Sequence, residues 1–434
     1  MELDDTGTMP LEYMTRVQEL VNFAKENSPY YSKRYENVPE TISHLNQLPM
    51  VDHTSFWVAH TGLPPENRVL TSSSFIDAAV FRTGGTTAVP KTSFVTRQEL
   101  REGAQNMVNC LTRAGLRPGD HVANLLYGGD LYKGFLDLSL ALIEATVPTL
   151  HLPIGVAPLD AQAWTIRSFS ATVLVSMPTV VCRLADYLIE HKELPSTVRL
   201  ILYIGELLHN DQKKLLRQAF PSARIGPLQY ASVDGGFIGA PDSLPTNDDD
   251  DATIYAVNTQ SMILELVTDD GELITEEGVR GNVLITNLAR RLMPTIRYPM
   301  GDLAEWTDYR TRKFRLCGRG MVAVRIAHYS FDLSTLKAVV SSVMTSDTFT
   351  GFQVIVKREE ATDVMIFRVA SQPKDPDRLA REMQEALARI KTDWAEELEI
   401  GKFKPLSVEW VSFQDLTINR RTGKLREIVD LRVE

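Results

Sequence analysis

Between residues 121 and 220, short apolar runs alternate with amphipathic segments, and this rhythm restricts the fold more than any other feature of the chain. His121 to Leu126, Val147 to Leu150, Thr172 to Val175 and Val198 to Ile204 read as strands. Gly134 to Ile143, Val180 to His191 and Asp211 to Phe220 read as helices. Strands separated by helices do not close as hairpins, so the pattern predicts βαβ units and a mostly parallel sheet with helices on its faces. Upstream, Leu11, Met14, Val17, Leu20, Val21 and Ala24 share a helical face after Pro10, and Asn27-Ser28-Pro29 stops that helix. Thr96 to Gly115 reads as a helix opened by a capping box, Thr96 with Glu99, and closed by glycine.

The character changes near Ile254. Met262 to Val267 turns at Asp269-Asp270-Gly271 into Glu272 to Thr275, the Asp-Gly signature of a hairpin, and Val283 to Thr286 adds another strand. From Met321 onward the order is strand, helix, two strands, helix and strand, which is a split βαβ arrangement. In it, Leu379, Met383, Leu387, Ile390 and Trp394 form the apolar stripe of one long helix. The fold class expected is therefore α/β. A large N-terminal domain, residues 1–318, combines mostly parallel sheets with a β subdomain near 253–318, and a small α+β domain follows at 319–434. A length of 434 residues fits two or three such cores.

Composition removes several function classes. The net charge of −10 argues against a nucleic-acid binder working through bulk positive charge, so an anionic small substrate needs local cations and backbone amides instead. The most apolar run, Leu136 to Leu152, carries Asp137, Glu144 and Pro148 and reads as core, not as a membrane span. The opening Met1-Glu2-Leu3-Asp4-Asp5 lacks the two halves of a signal peptide, and three scattered cysteines, Cys110, Cys182 and Cys317, read as buried thiols. Cytoplasm is the expected compartment. No Gly-x-Ser-x-Gly elbow occurs, the acidic run Asn247 to Asp251 reads as a solvated loop, and His151, His209 and His328 read as structural or pocket-lining.

Four segments can carry chemistry. In Arg82-Thr83-Gly84-Gly85-Thr86-Thr87-Ala88-Val89-Pro90-Lys91, paired glycines, three threonine hydroxyls and a lysine suit a triphosphate cradle, although the same run also suits an ordinary loop. In Met293 to Leu303, the Gly301-Asp302 step can aim a carboxylate at a ribose diol or be a plain turn aspartate. Cys317-Gly318-Arg319-Gly320 sits at the junction of the two large parts and suits a hinge. Near the end, Asn419 to Arg426 is a basic cluster with Gly423 before Lys424, which reads as a solvated face or as a phosphate-seeking loop.

Taken in order, these segments resemble the acyl-adenylate-forming superfamily and, within it, the phenylacetate–CoA ligase-like branch. Ala24 to Tyr31 resembles that branch's opening helix and turn, Ala114 to Asp120 its segment after the phosphate loop, and Gly278 to Leu303 its run ending in Ile-Arg-Tyr and Gly-Asp. The resemblance implies ATP and Mg²⁺ as cofactors, a carboxylic acid substrate, CoA as acyl acceptor, neither nucleic acid nor membrane as partner, and a homodimer. It places Thr83, Gly84, Gly85, Thr86, Thr87 and Lys91 around the phosphates and Gly205 and Glu206 along the nucleotide and acyl pockets. Tyr230 takes the place that stacks on adenine, Asp234 that of the magnesium-binding glutamate, Asp302 that of the ribose ligand with Arg319 beside it, and Lys424 that of the catalytic lysine. Tyr127, Tyr132, Phe135, Tyr203 and Phe237 then fall where the acid binds, which favours an aryl acid, although core packing accounts for the same residues almost equally well.

The sequence also departs from that pattern. Gly84 stands in place of serine, Ala88 in place of glycine, and Tyr230-Ala231-Ser232-Val233-Asp234 replaces Tyr-Gly-x-Thr-Glu. Gly320 leads directly into Met321, without the usual two aspartates, so the hinge falls on Gly320. Three readings follow: an acid–CoA ligase, an adenylating enzyme that passes the acyl group to an amine or carrier-protein thiol, and a nucleotide-binding homologue that has lost catalysis.

Overall fold

The computed structural model describes residues 10–71, 76–82, 91–129, 131–155, 157–205, 208, 210–241, 244, 254–319, 323–326, 329–345, 349, 351–360, 362–399, 403–412, 415–417 and 428–432. The chain divides into two compact units, one comprising Met1–Thr83 and Lys91–Gly320, the other including Met321–Glu434.

In the first unit the alternating region forms a parallel sheet. Its described strands lie in the order Thr149–Pro153, Asp120–Asn124, Val173–Ser176, Leu200–Tyr203 and Arg224–Pro227. Helices Gly134–Glu144, Leu159–Ser168, Pro178–Glu190 and Asn210–Ala219 connect them; the spacing predicts the first and the last two, and Leu159–Ser168 is an additional helix. Successive side chains point to opposite faces, so Leu174, Ile201 and Tyr203 join one hydrophobic cluster while Val173, Leu200 and Leu202 join another. Asp120 and Arg199 form an ion pair at the amino end of the sheet, reinforced by a hydrogen bond from the Thr172 hydroxyl.

Not all of Leu136 to Leu152 is core. Leu138, Ala141, Leu142 and Leu152 are buried, but Ile143 is 73% exposed, and Leu136 and Leu150 are also exposed. The helix Gly134–Glu144 is apolar on more of its circumference than it packs, and Thr149–Pro153 is an edge strand with a neighbour on one side only. Cys110 and Cys182 are buried as expected, and burial pushes the Cys110 thiol up to about 12; Cys317, by contrast, is only half-buried. Among the described residues no helix is long and apolar enough to cross a membrane.

The β-rich region forms an antiparallel sheet whose described strands run Leu273–Ile274, Met262–Val267, Arg280–Asn287, Tyr298–Asp308, Lys313–Arg319, Ile254–Val257, Gly236–Ala240 and Tyr230–Ser232. The Asp-Gly hairpin forms as read, with Leu266 opposite Ile274 and Gly271 at φ +85°. Tyr230–Ser232 lies four strands from Tyr298–Asp308, roughly 19 Å in a flat sheet. The Tyr230 hydroxyl nevertheless donates to Asp302 Oδ2 at 2.6 Å. Right-handed twist has therefore coiled the sheet until its edge meets its middle, and that closure builds the site.

The second unit contains a hairpin, Ala323–Ile326 with Tyr329–Asp332, and a mixed sheet ordered Ser407–Val411, Thr362–Ala370, Gly351–Glu359 and Ile428–Asp430. Leu333–Val343 and Pro376–Ile390 are its longer helices. The single helix expected through Trp394 breaks instead at Lys391, whose φ of −127° and ψ of 77° end one helix before Thr392–Glu399 begins. The break turns Trp394 into the core at 2% exposure and leaves Ile390 46% exposed.

Candidate active site

Two short segments of the first unit share the spacing Tyr-x-x-x-Asp: Tyr230 to Asp234, and Tyr298 to Asp302. The coiled sheet brings them face to face, and each tyrosine bonds the other segment's aspartate. Tyr230 donates to Asp302 Oδ2 at 2.6 Å, and Tyr298 donates to Asp234 Oδ2 at 2.8 Å. Burial, with the Asp234 carboxylate beside it, raises the pKa of the Tyr298 phenol and keeps it a donor. Tyr230 keeps its ring near Tyr255 and Phe314, at centroid distances of 6.0 and 5.9 Å.

Asp234 is buried, and burial alone would favour its neutral form. The Lys91 charge and the Ser232 and Tyr298 hydroxyls outweigh that effect and hold its pKa below the ordinary aspartate value. Gly235 follows it, where an added Cβ would lie 2.6 Å from Ile285 Cδ1 and 2.8 Å from Ser232 Oγ, so a larger residue requires those side chains to shift. The Gly235 amide donates to Ser232 Oγ at 2.8 Å, and Asn287 Nδ2 donates to the Gly235 carbonyl at 2.9 Å.

Lys91 stands at the end of the Thr/Gly segment. Its Nζ lies 2.7 Å from His53 Nε2 and 5.4 Å from the Trp57 ring centroid. His53 and Trp57 occupy the helix His53–Ala59, capped by Asp52, whose Oδ1 accepts from the Ser55 amide at 2.7 Å. Trp57 Nε1 faces both His53 Nε2 at 3.3 Å and the Tyr298 hydroxyl at 3.1 Å. Burial and then the Lys91 charge push the His53 pKa down to about 4, so the imidazole is neutral. At the end of the same helix, His60 Nε2 lies 2.8 Å from the Thr92 carbonyl oxygen. A buried arginine completes the frame: Arg290 donates to the Asp234 carbonyl, and at 2.8 Å to both Ser93 Oγ and the Phe94 carbonyl.

The structure thus brings together four of the residues singled out from sequence, Lys91, Tyr230, Asp234 and Asp302. Gly205 lies at the carboxyl end of Leu200–Tyr203 with φ +82°, a backbone geometry glycine adopts without strain. Strand register sets Arg319 opposite Asp302. Thr83, Gly84, Gly85, Thr86, Thr87, Glu206, Gly320 and Lys424 lie outside the described residues, as do His209, His328 and the run 247–251.

The five aromatic residues expected around the acid divide over the parallel sheet. Tyr127 and Tyr203 pack against one of its clusters, Phe135 and Phe237 against the other, and the Tyr132 ring lies 5.9 Å from that of Tyr127. Sequence reading missed His53, Trp57 and Arg290 altogether and quoted Tyr298 without a role. The repeated Tyr-x-x-x-Asp spacing was the signal available for Tyr298. No local pattern marks His53, Trp57 or Arg290, because their roles arise from contacts made across the fold.

No family model matches the chain. It is 24% identical to a phenylacetate–coenzyme A ligase of Thermus thermophilus over 98% of both chains. It is 25% identical to an indoleacetate–lysine synthetase of Pseudomonas savastanoi over 190 residues, 43% of each. The crystal structure of a 2-hydroxyisobutyryl-CoA ligase in complex with 2-HIB-AMP and CoA superposes with a TM-score of 0.69 at 19% identity, covering 98% of this chain and 91% of that one. In sequence over nearly its whole length, and in fold, the chain thus resembles the adenylate-forming superfamily and, within it, the phenylacetate–CoA ligase-like branch.

Because that resemblance implies magnesium, the disposition of Asp234 matters. Hydrogen bonds from Tyr298, Ser232 and the Gly235 amide occupy most of its carboxylate lone pairs. Among the described residues no group of three or more His, Cys, Asp or Glu could enclose a metal. That donor set fits an ion held chiefly by phosphate oxygens and water, with Asp234 contributing one contact.

Proposed function

We propose that this protein activates a carboxylic acid with ATP, releasing pyrophosphate, and passes the acyl group from the acyl-adenylate to coenzyme A. The observation that carries the proposal is the reciprocal pairing of Tyr230 with Asp302 and Tyr298 with Asp234, with Lys91 next to the second pair. It unites one aromatic face, two carboxylates and a cation in the order in which the superfamily uses them.

The chemistry calls for these groups. A substrate carboxylate oxygen attacks the α-phosphorus while the bond to the pyrophosphate oxygen breaks, so two anions must be brought together. Positioning and charge neutralisation supply most of the catalysis. In this reading Thr83, Gly84, Gly85, Thr86, Thr87 and Lys91 hold the phosphates, Tyr230 stacks on the base, Asp302 with Arg319 holds the ribose, and Gly205 and Glu206 line the pocket. Mg²⁺, when bound beside Asp234, offsets phosphate charge. Lys424, on a C-terminal domain 319–434 that turns about Gly320, supplies the final cation for adenylation. The CoA thiolate then attacks the acyl carbon and AMP leaves. Tyr127, Tyr132 and Tyr203 favour an aryl acid, since flat rings pack well on aromatic walls.

A second reading, transfer to an amine, rests on the indoleacetate–lysine synthetase relative and on the shortened sequence at Gly320-Met321. The deciding experiment is acid-dependent exchange of labelled pyrophosphate into ATP over a panel of aryl and alkyl acids. Exchange with an aryl acid, followed by CoA-dependent AMP release, is the expected result. Exchange without CoA turnover selects the amine or carrier-thiol reading, and no exchange with any acid leaves only a nucleotide-binding homologue. In Lys424→Ala, exchange should fall by at least about two decades, as for a charge contact made in the transition state; wild-type-like exchange removes the lysine from the mechanism.

A further inference from the structure

The helix His53–Ala59 has no part in the functional reading given so far, yet it carries two groups close to the Lys91 ammonium. Nε2 of His53 lies 2.7 Å from Nζ, the Trp57 ring centroid 5.4 Å from it, and Trp57 Nε1 also points at the same imidazole nitrogen from 3.3 Å. A lysine ammonium and an indole N–H can only donate, so His53 Nε2 is the acceptor for both and carries no proton. The opposite end of the helix is fixed to the strand that follows Lys91, through His60 and the Thr92 carbonyl. Its N-terminus is fixed through the Val51 amide, which donates to the Arg297 carbonyl at 3.0 Å, next to Tyr298. The imidazole is therefore held through both ends of its helix, and it in turn helps to fix the azimuth of the lysine's four-carbon stem.

We infer that His53 is a positioning residue for nucleotide binding, a neutral acceptor that, with the Trp57 ring, holds the Lys91 ammonium ready for an anionic phosphate. The inference rests on the proposed ATP-dependent reading for the identity of the anion, but not for the contact itself. Two features suit the role. A neutral imidazole orients the ammonium without cancelling its charge, as a carboxylate in the same place would. The quadrupole of Trp57 adds attraction without adding an anion that would repel phosphate.

The test is a cycle read by ATP binding, measured by titration calorimetry with ATP and Mg²⁺, alongside pyrophosphate exchange. His53→Phe should weaken ATP binding about tenfold, as for loss of a charge-assisted hydrogen bond. His53→Gln, which can offer an amide oxygen in nearly the same place, should stay within about threefold of wild type. In a Lys91→Met background, His53→Phe should have no further effect, because the residue acts through the lysine. Equal losses in the Phe and Gln variants, or a full additional loss in the Lys91→Met background, would overturn the inference. If His53→Phe fails to fold, NMR titration of the His53 ring decides the question: its midpoint should rise in Lys91→Met relative to wild type, and an unchanged midpoint sinks the contact. Absence of exchange in the wild type with every acid would defeat the activity reading and leave the binding cycle still decisive for His53.

Discussion

Tyr230 serves two neighbours at once: its ring belongs to an aromatic group with Tyr255 and Phe314, and its hydroxyl holds Asp302. The two roles separate in Tyr230→Phe, which keeps the ring and removes the donor. ATP affinity in that variant should fall about tenfold, the loss of one hydrogen bond to an ionised group, with far-UV circular dichroism unchanged. A variant that binds ATP as well as wild type would show that Asp302 needs no partner. Asp302 and Lys91 were legible as chemistry because sequence places each in a motif. Asp234 was legible only by alignment with a longer glutamate, and its tie to Tyr298 was not, since 64 residues separate the two.

At the level of elements, the parallel sheet and the Asp-Gly hairpin followed from periodicity, because side-chain alternation and turn chemistry are local properties. The capping box at Thr96 and Glu99 formed as read, with reciprocal bonds of 3.2 and 2.8 Å. The break at Lys391 was not legible: the apolar stripe continues through it at helical spacing, and only packing of Trp394 decides that the helix ends. Coiling of the antiparallel sheet was equally hidden, being a sum of small twists across many strands. Arg290 joins two such elements, holding the strand Thr92–Thr96 to the Asp234 turn through three acceptors. Arg290→Met leaves those buried acceptors without their donor and should cost about 3 kcal/mol, read as a lower urea midpoint at unchanged slope. A midpoint within error of wild type would mean that water replaces the guanidinium.

For the whole molecule, acidity and the proposed hinge are the two levers. His53 has a folded pKa near 4 against an ordinary value of 6.5, so between those limits the unfolded chain binds a proton that the folded chain does not. Stability contributed by the neutral ring is complete above about pH 6.5 and is lost as pH falls toward 4. Asp120 acts in the same sense at lower pH. Burial opposes its ionisation, but Arg199, the Arg117 amide and Thr172 hold its pKa below the ordinary range, so its contribution disappears only as pH drops through that depressed value. His53→Gln should flatten the stability profile between about pH 4 and 6.5, measured by urea unfolding at several pH values; a slope equal to that of wild type would refute this linkage. The second lever is Gly320. In Gly320→Pro, pyrophosphate exchange should remain within about threefold of wild type while acyl transfer falls at least about tenfold, because proline fixes φ at the residue about which the proposed rotation turns. Equal losses in both half-reactions would place the turning point elsewhere.

The crossed tyrosines and aspartates have an evolutionary consequence. In the proposed reading one segment meets the sugar and the other lies beside the phosphates, and each ends in a carboxylate whose partner is supplied by the other. A substitution that adapts one end of the nucleotide pocket therefore disturbs the opposite end as well. On that proposal, descendants of this chain can drift in the acid they accept far more freely than in the cofactor, since only the latter is recognised by two segments locked into mutual dependence.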